Sequence, residues 1–120
     1  MTTLMNKALE SIRHSSPEEL WRRVDTAVDT EVATVSSAMR EGAFGTARLR
    51  FLRLAEHSQI RVLERIEVKD AVRLAGGLPT YTVARLYERL PRRLGKTIVQ
   101  ALPEAKRNGV VVILKHRRRV

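Results

Sequence analysis

Positively charged side chains recur at helical spacing through residues 47–66, which predicts one long amphipathic helix with a basic polar face. At about 100° per residue they fall within about 120° of arc, and they are Arg50, Arg53, His57, Arg61 and Arg65. Apolar side chains centre on the opposite side: Phe51, Leu52, Ala55, Val62, Leu63 and Ile66. Guanidinium groups pair with phosphate in bidentate fashion, and the Ser58 hydroxyl can donate or accept a hydrogen bond. The pattern therefore predicts a surface that contacts phosphate groups.

A cationic stripe along a helix matches a long, regular, negatively charged object better than a small ligand, so nucleic acid is the leading partner. A solvated helix surface gives the same pattern, because charged residues must face water and Glu56 and Glu64 dilute the charge of this helix. Aromatic residues are few and spread over separate segments, whereas proteins that bind single strands stack bases on clustered rings. A duplex is therefore favoured over a single strand.

The composition predicts one folded chain with a strongly basic character. Of its 120 residues, 43% are hydrophobic and 30% are charged, which is compatible with a globular core. The formal net charge is +10, and residues 91–120 carry a large share of the basic excess, while residues 1–45 are slightly acidic. This balance favours an anionic partner.

Several classes of site are not expected. The chain has no cysteine, and His14, His57 and His116 are scattered, so we predict no metal and no cofactor. Asp25 and Asp29 lie one turn apart, but nothing nearby completes a catalytic pair, so we predict no enzymatic activity and no small-molecule substrate.

No apolar run approaches the roughly 18 residues of a membrane span, and the first residues lack a secretory pattern. We expect a cytoplasmic protein.

Two long helices are predicted to form an antiparallel hairpin. Ser16, Pro17 and Glu19 form a helix start signal, and apolar residues then recur at helical spacing for about 24 residues. The short link of residues 42–45 is bounded by glycines and turns the chain back into residues 47–66. Two amphipathic helices alone make a thin core, so we expect a homodimer that completes a four-helix bundle.

The rest of the chain is predicted less completely. Residues 4–14 have a short helical pattern, residues 68–75 predict a third helix that stops at Gly76-Gly77, and residues 80–90 predict a fourth. Beyond Pro91 the signals conflict: residues 97–99 fit strand or helix, residues 110–114 are a β-branched run, and residues 115–119 are a basic cluster expected to be solvated and mobile. The expected fold is all-α, with a helical domain in residues 1–90 and a basic extension in residues 91–120.

In order and spacing of helices, the chain resembles the double-stranded-RNA-binding suppressors of RNA silencing encoded by insect nodaviruses. The resemblance covers about residues 8–75, through the stretches PEELWRRVDTAV and SQIRVLERIEVKDAV. It implies a dimer of helical hairpins whose second helices lie along A-form RNA and contact its backbone without reading sequence. Such a protein would suppress host silencing by shielding duplex RNA from dicing and from small-RNA loading, in the host cytoplasm if it is viral.

The resemblance also implies which side chains bind RNA. Arg61 matches the family's critical arginine, and Lys69 matches a lysine near the start of the third helix. Ser58 and Arg65 match a hydroxyl residue and a polar contact residue of the same face. Three positions depart from the pattern, because Ala47, Phe51 and Leu54 stand where the family has contacting residues. Together with the spacing of the stripe, these matches give the predicted RNA-binding set: Arg50, Arg53, His57, Ser58, Arg61, Arg65 and Lys69.

Two other functions remain open at this point. In a winged-helix DNA-binding protein, residues 69–90 would form the helix-turn-helix, with Arg85 and Arg89 on the recognition helix and the Asn108-Gly109 region as the wing. In a helical assembly or scaffold protein, the basic face would be solvated or would meet an acidic partner.

Overall fold

The computed structural model describes residues 17–118, with the side chains from residue 27 onward. This part of the chain is all-helical, as predicted. Its seven helices are α1 (Pro17–Arg40), α2 (Phe44–Leu52), α3 (Glu56–Arg65), α4 (Val68–Gly76), α5 (Thr80–Tyr87), α6 (Arg92–Ala101) and α7 (Glu104–Arg118). The helical pattern of residues 4–14, Ser16 of the start signal and the last arginine of the basic cluster lie outside the described residues.

The predicted first helix and its turn are confirmed. α1 has 24 residues and ends at Arg40. Gly42 follows with φ of 76°, in the left-handed region that a residue without Cβ adopts at little cost. Val35 and Met39, one turn apart, are buried against α2 and α3, which pack along α1 as the second arm of a hairpin.

The prediction of a single helix over residues 47–66 is wrong. α2 ends at Leu52, Ala55 is extended with ψ of 153°, and α3 begins at Glu56. The side-chain amide of Gln59 lies inside this bend, 2% exposed, and donates a 3.1 Å hydrogen bond to the carbonyl of Phe51. Packing overrides the local helix preference here, since the bend lets Phe51 and the apolar face of α3 both reach the core.

The third and fourth helices are confirmed with a three-residue turn between them. α4 ends at Gly76, and α5 begins at Thr80 after Gly77, Leu78 and Pro79. Leu78 is 1% exposed, so the turn is fixed by burial of an apolar side chain, and Pro79, the residue before α5, has a ψ of 143°. α3 packs against both helices.

The last part of the described chain is helical, which corrects the β-like interpretation of residues 110–114. Val110, Ile113 and Leu114 recur at helical spacing in α7 and face the core, while Val112 is 65% exposed. Asn108 and Gly109 lie within α7, so the wing predicted for a winged helix is not formed there. The basic residues 115–118 continue the same helix.

One core runs through the helices of this single chain. It includes Phe51 of α2, Leu63 of α3, Leu86 of α5, Ile98 of α6 and Val110 of α7. The apolar faces of the hairpin are therefore covered by α4 to α7 as well as by each other. The core of one copy thus includes residues of every described helix, and the four-helix bundle of two copies stays a prediction.

The two phenylalanines test this packing. Phe51 is 0% exposed, so Phe51→Ala should lower the free energy of unfolding by about 3–5 kcal/mol through lost burial and a cavity. Phe44 is 42% exposed, so Phe44→Ala is its matched control and should cost about 1 kcal/mol or less. Urea denaturation followed by circular dichroism measures both values. Equal losses would contradict the difference in burial between the two side chains.

Candidate nucleic-acid interface

Six of the seven side chains predicted to bind RNA lie on the surface. They are Arg50, Arg53, His57, Arg61, Arg65 and Lys69. The seventh, Ser58, is 8% exposed, and its hydroxyl lies 3.5 Å from Nε2 of His57. A side chain with this burial does not present its hydroxyl to a ligand, so Ser58 is not part of the exposed basic surface.

Because of the bend, these six side chains lie on three different helices and on the segment between α2 and α3. Arg50 lies on α2 and Arg53 directly after it, whereas His57, Arg61 and Arg65 lie on α3 and Lys69 on α4. Arg50 and Arg53 line a groove between α1 and α2. The basic surface is therefore angular, where the sequence predicted a straight stripe.

Two of the six cations have carboxylate partners. Arg65 forms an ion pair with Asp29 of α1, and Lys69 lies 3.4 Å from Glu67. These side chains are about half exposed or more, and ion pairs of that kind contribute roughly 0–1 kcal/mol, so a phosphate can replace the carboxylate. Three arginines have no ion pair with another described residue: Arg50, Arg53 and Arg61.

A second group of cations, Arg85 and Arg89, surrounds Glu56, and the sequence pointed to these two arginines only as part of a DNA-recognition helix. Oε1 of Glu56 lies 3.8 Å from Nε of Arg85 on α5 and 3.6 Å from Nε of Arg89 in the turn directly after α5. On the far side of α5, Glu88 pairs with Arg117 of α7 at 3.3 Å, and the same guanidinium lies 5.9 Å from the Tyr81 ring centroid. Glu56 of α3 and Arg117 of α7 thus form ion pairs with charged residues of α5 and of the turn after it.

Two further cations converge on the turn between α4 and α5. Nζ of Lys106 donates to the carbonyl of Gly76 at 2.7 Å, and a guanidinium nitrogen of Arg48 donates to the carbonyl of Gly77 at 3.3 Å. Cations at this end of α4 satisfy carbonyls that the helix leaves free and interact favourably with its dipole. Partial burial lowers the pKa of Lys106 below 10.5, and the charge of Arg48 lowers it further.

The described residues hold no cluster of three His, Asp or Glu side chains that could bind a metal ion. Within the same part of the chain, none of the helices combines the length and the apolar character needed to cross a bilayer.

Comparison of the chain with protein-family models, curated proteins and solved structures finds no match. The resemblance to the nodavirus suppressors therefore depends on the residues of this sequence alone.

The contact of Lys106 with the α4 carboxyl end can be tested by charge removal. Lys106→Met should lower the free energy of unfolding by about 0.5–1.5 kcal/mol, because it removes one hydrogen bond and a favourable charge at a helix end. Lys115→Met is the matched control, since Lys115 is exposed near the end of α7, and it should change stability by less than about 0.5 kcal/mol. Chemical denaturation near neutral pH compares the two. Identical effects would show that the carbonyl contact contributes nothing.

Proposed function

We propose that this protein binds double-stranded RNA through the RNA backbone, without reading base sequence. The observation that carries the proposal is a group of three exposed arginines that have neither a carboxylate partner nor a side-chain hydrogen bond among the described residues: Arg50 on α2, Arg53 directly after it and Arg61 on α3. Such side chains meet a phosphate without first breaking an internal ion pair. The resemblance to the nodavirus suppressors supports duplex RNA as the ligand.

The chemistry of the ligand suits this surface. A-form RNA hides its base edges in a deep, narrow major groove and presents phosphates and 2′-hydroxyls beside a shallow minor groove. Arginine recognises phosphate by charge and by its planar set of donors. A surface made of arginines, with few exposed aromatic rings, can sense the shape and charge of the duplex but carries little means to distinguish bases.

A homodimer is part of this proposal. α3 has 10 residues and is therefore about 15 Å long, which covers less than one turn of a duplex. A second copy would extend the basic surface along the RNA. Leu49 and Leu52 of α2 are 58% and 38% exposed, and they supply an apolar surface next to Arg50 and Arg53 for contact between two copies.

The biological consequence would be protection of duplex RNA. A protein that coats the backbone blocks the nucleases that dice the duplex and the loading of small RNAs, and it needs no reaction of its own. We propose suppression of RNA silencing in the host cytoplasm as the role of such binding.

Gel-shift titration with a 25-base-pair RNA duplex, the same sequence as DNA, and one RNA strand tests the proposal. We expect preference for the RNA duplex, and Arg61→Ala should weaken that binding about tenfold or more, because a hydrogen bond to a charged group is lost in each copy. Arg40→Ala removes the same charge from the exposed end of α1 and is the matched control, with an expected change below about threefold. Equal losses in both variants would show that only overall charge matters.

The salt dependence should be steep. Three exposed arginines per copy without an internal ion pair, Arg50, Arg53 and Arg61, together with Arg65 and Lys69 once phosphate replaces their carboxylates, allow a dimer to neutralise about 6–10 phosphates. Affinity for duplex RNA should then fall about 10³- to 10⁵-fold between 50 and 200 mM salt. Fluorescence anisotropy across this range measures the slope, and a nearly flat profile would exclude a phosphate-based interface.

A second candidate is DNA binding by a helix-turn-helix, favoured by the arrangement of α4, the buried turn at Leu78, and α5 on top of α3. This candidate predicts selection of one DNA sequence from a random pool, with the selection lost in Arg85→Ala. The duplex-RNA proposal predicts no enriched sequence. Absence of binding to every nucleic acid at low salt would instead favour an assembly or scaffold protein.

A further inference from the structure

Glu56 lies between Arg85 and Arg89, and these two arginines form a cationic cradle of the kind that binds an anion. Oε1 of Glu56 faces Nε of both Arg85 and Arg89, at 3.8 Å and 3.6 Å. Both distances exceed hydrogen-bond length, and neither Glu56 Oε1 nor Arg85 Nε, each inaccessible, has a hydrogen-bond partner among the described residues. Two guanidinium groups thus surround one carboxylate oxygen without bonding to it.

The charges around this point leave room for a stronger anion. Two arginines against one glutamate give the cluster a net positive charge. α3 begins at Glu56, and Ala55 before it provides no side-chain cap, so the positive end of the α3 dipole lies at the same place. Arg89 is 66% exposed and Glu56 29%, so a ligand can reach the arginines and the glutamate can move outward.

We propose that Arg85 and Arg89 form a second phosphate-binding site, which the Glu56 carboxylate fills in the free protein and a backbone phosphate of the nucleic acid takes over in the complex. The inference depends on the proposed function for the source of the phosphate. The ligand chemistry itself is a phosphate monoanion or dianion, whose several oxygens can bond to both guanidinium groups at once, as a single carboxylate oxygen does not here.

The exchange explains why these arginines are arranged as a pair. Arg85 lies on α5 and Arg89 in the turn directly after it, and both side chains reach the same carboxylate oxygen of Glu56. Glu56 keeps them in this position before the ligand binds. Displacing Glu56 costs little free energy, because ion pairs at this exposure are weak. This cost still lowers the affinity of the wild type for phosphate, relative to a variant without the Glu56 carboxylate.

Glu56→Gln tests the competition because glutamine keeps the shape and removes the charge. We expect this variant to bind duplex RNA about two- to fivefold more tightly than the wild type. Glu41→Gln is the control, since it makes the same change of charge at an exposed residue after α1, and it should stay within about 1.5-fold of the wild type. Equal gains in both variants would overturn the proposal.

Removing the cradle should cancel the gain. Adding Arg85→Gln and Arg89→Gln to Glu56→Gln should return the affinity to the wild-type value or below, and the slope of log affinity against log salt should fall by about 0.9 for the phosphate contact of each copy, about 1.8 for a dimer. An unchanged slope would show that no phosphate is bound there. Circular dichroism and melting curves check that each variant is folded.

A titration with inorganic phosphate separates this inference from the proposed function. The arginine Nε–Hε signals of Arg85 and Arg89, assigned from Arg85→Gln and Arg89→Gln, should shift with added phosphate, more strongly in Glu56→Gln than in the wild type. Such shifts in a protein that binds no duplex RNA would support the cradle and reject the RNA proposal. Duplex RNA binding that depends on Arg61, with no phosphate-induced shift at these arginines, would reject the cradle alone.

Discussion

The position of α3 in the middle of the fold is the constraint on which the rest depends. α3 packs against α1, α4 and α5, and its buried face presents Val62 and Leu63 to the core, with Ile66 directly after it. Glu56 and Arg65 are nine residues apart and so lie on opposite sides of the helix. One side therefore meets Asp29 of α1 and the other meets the arginines of α5. What remains outward is a narrow face, and Arg61 lies on it.

The helices that a local pattern specifies were predictable from sequence. The capping signal and glycine turn gave α1, whose bounds match the prediction, and the glycine pair with Leu78-Pro79 gave the turn between α4 and α5. The bend at residues 53–55 was not predictable in this way, because every residue there tolerates a helix. A usable signal lay in Ser58 and Gln59, polar side chains that fall on the face that becomes buried. A polar residue within an apolar face marks a backbone group in need of a partner, and here that group is the Phe51 carbonyl.

The basic surface was predictable in composition and only partly in geometry. Helical spacing identified the exposed positions of α3, because the period of a helix fixes which side chains share a face. Pairing between helices distant in sequence could not be read from that period. From the sequence, Glu56 only lowers the positive charge of its own helix. In the structure it lies between two arginines that come about thirty positions later in the chain. In α7, β-branched residues favoured a strand, but the spacing of Val110, Ile113 and Leu114 also fits a helix, and burial against α5 decided between the two.

The distribution of ion pairs then divides the cations of this protein into two kinds. At a separation of about 4 Å, opposite charges attract by about 1 kcal/mol in water, and a phosphate gains little when it must first displace a carboxylate from the same arginine. Arg61 has no such competitor among the described residues and gives its full attraction to a ligand, whereas Arg85 and Arg89 give the difference between phosphate and Glu56. The first kind determines how tightly a polyanion is held. The second kind adds a weak ion pair to the core packing that holds α5 against α3. In the proposed exchange, the carboxylate that competes with phosphate is also the group that positions the two arginines.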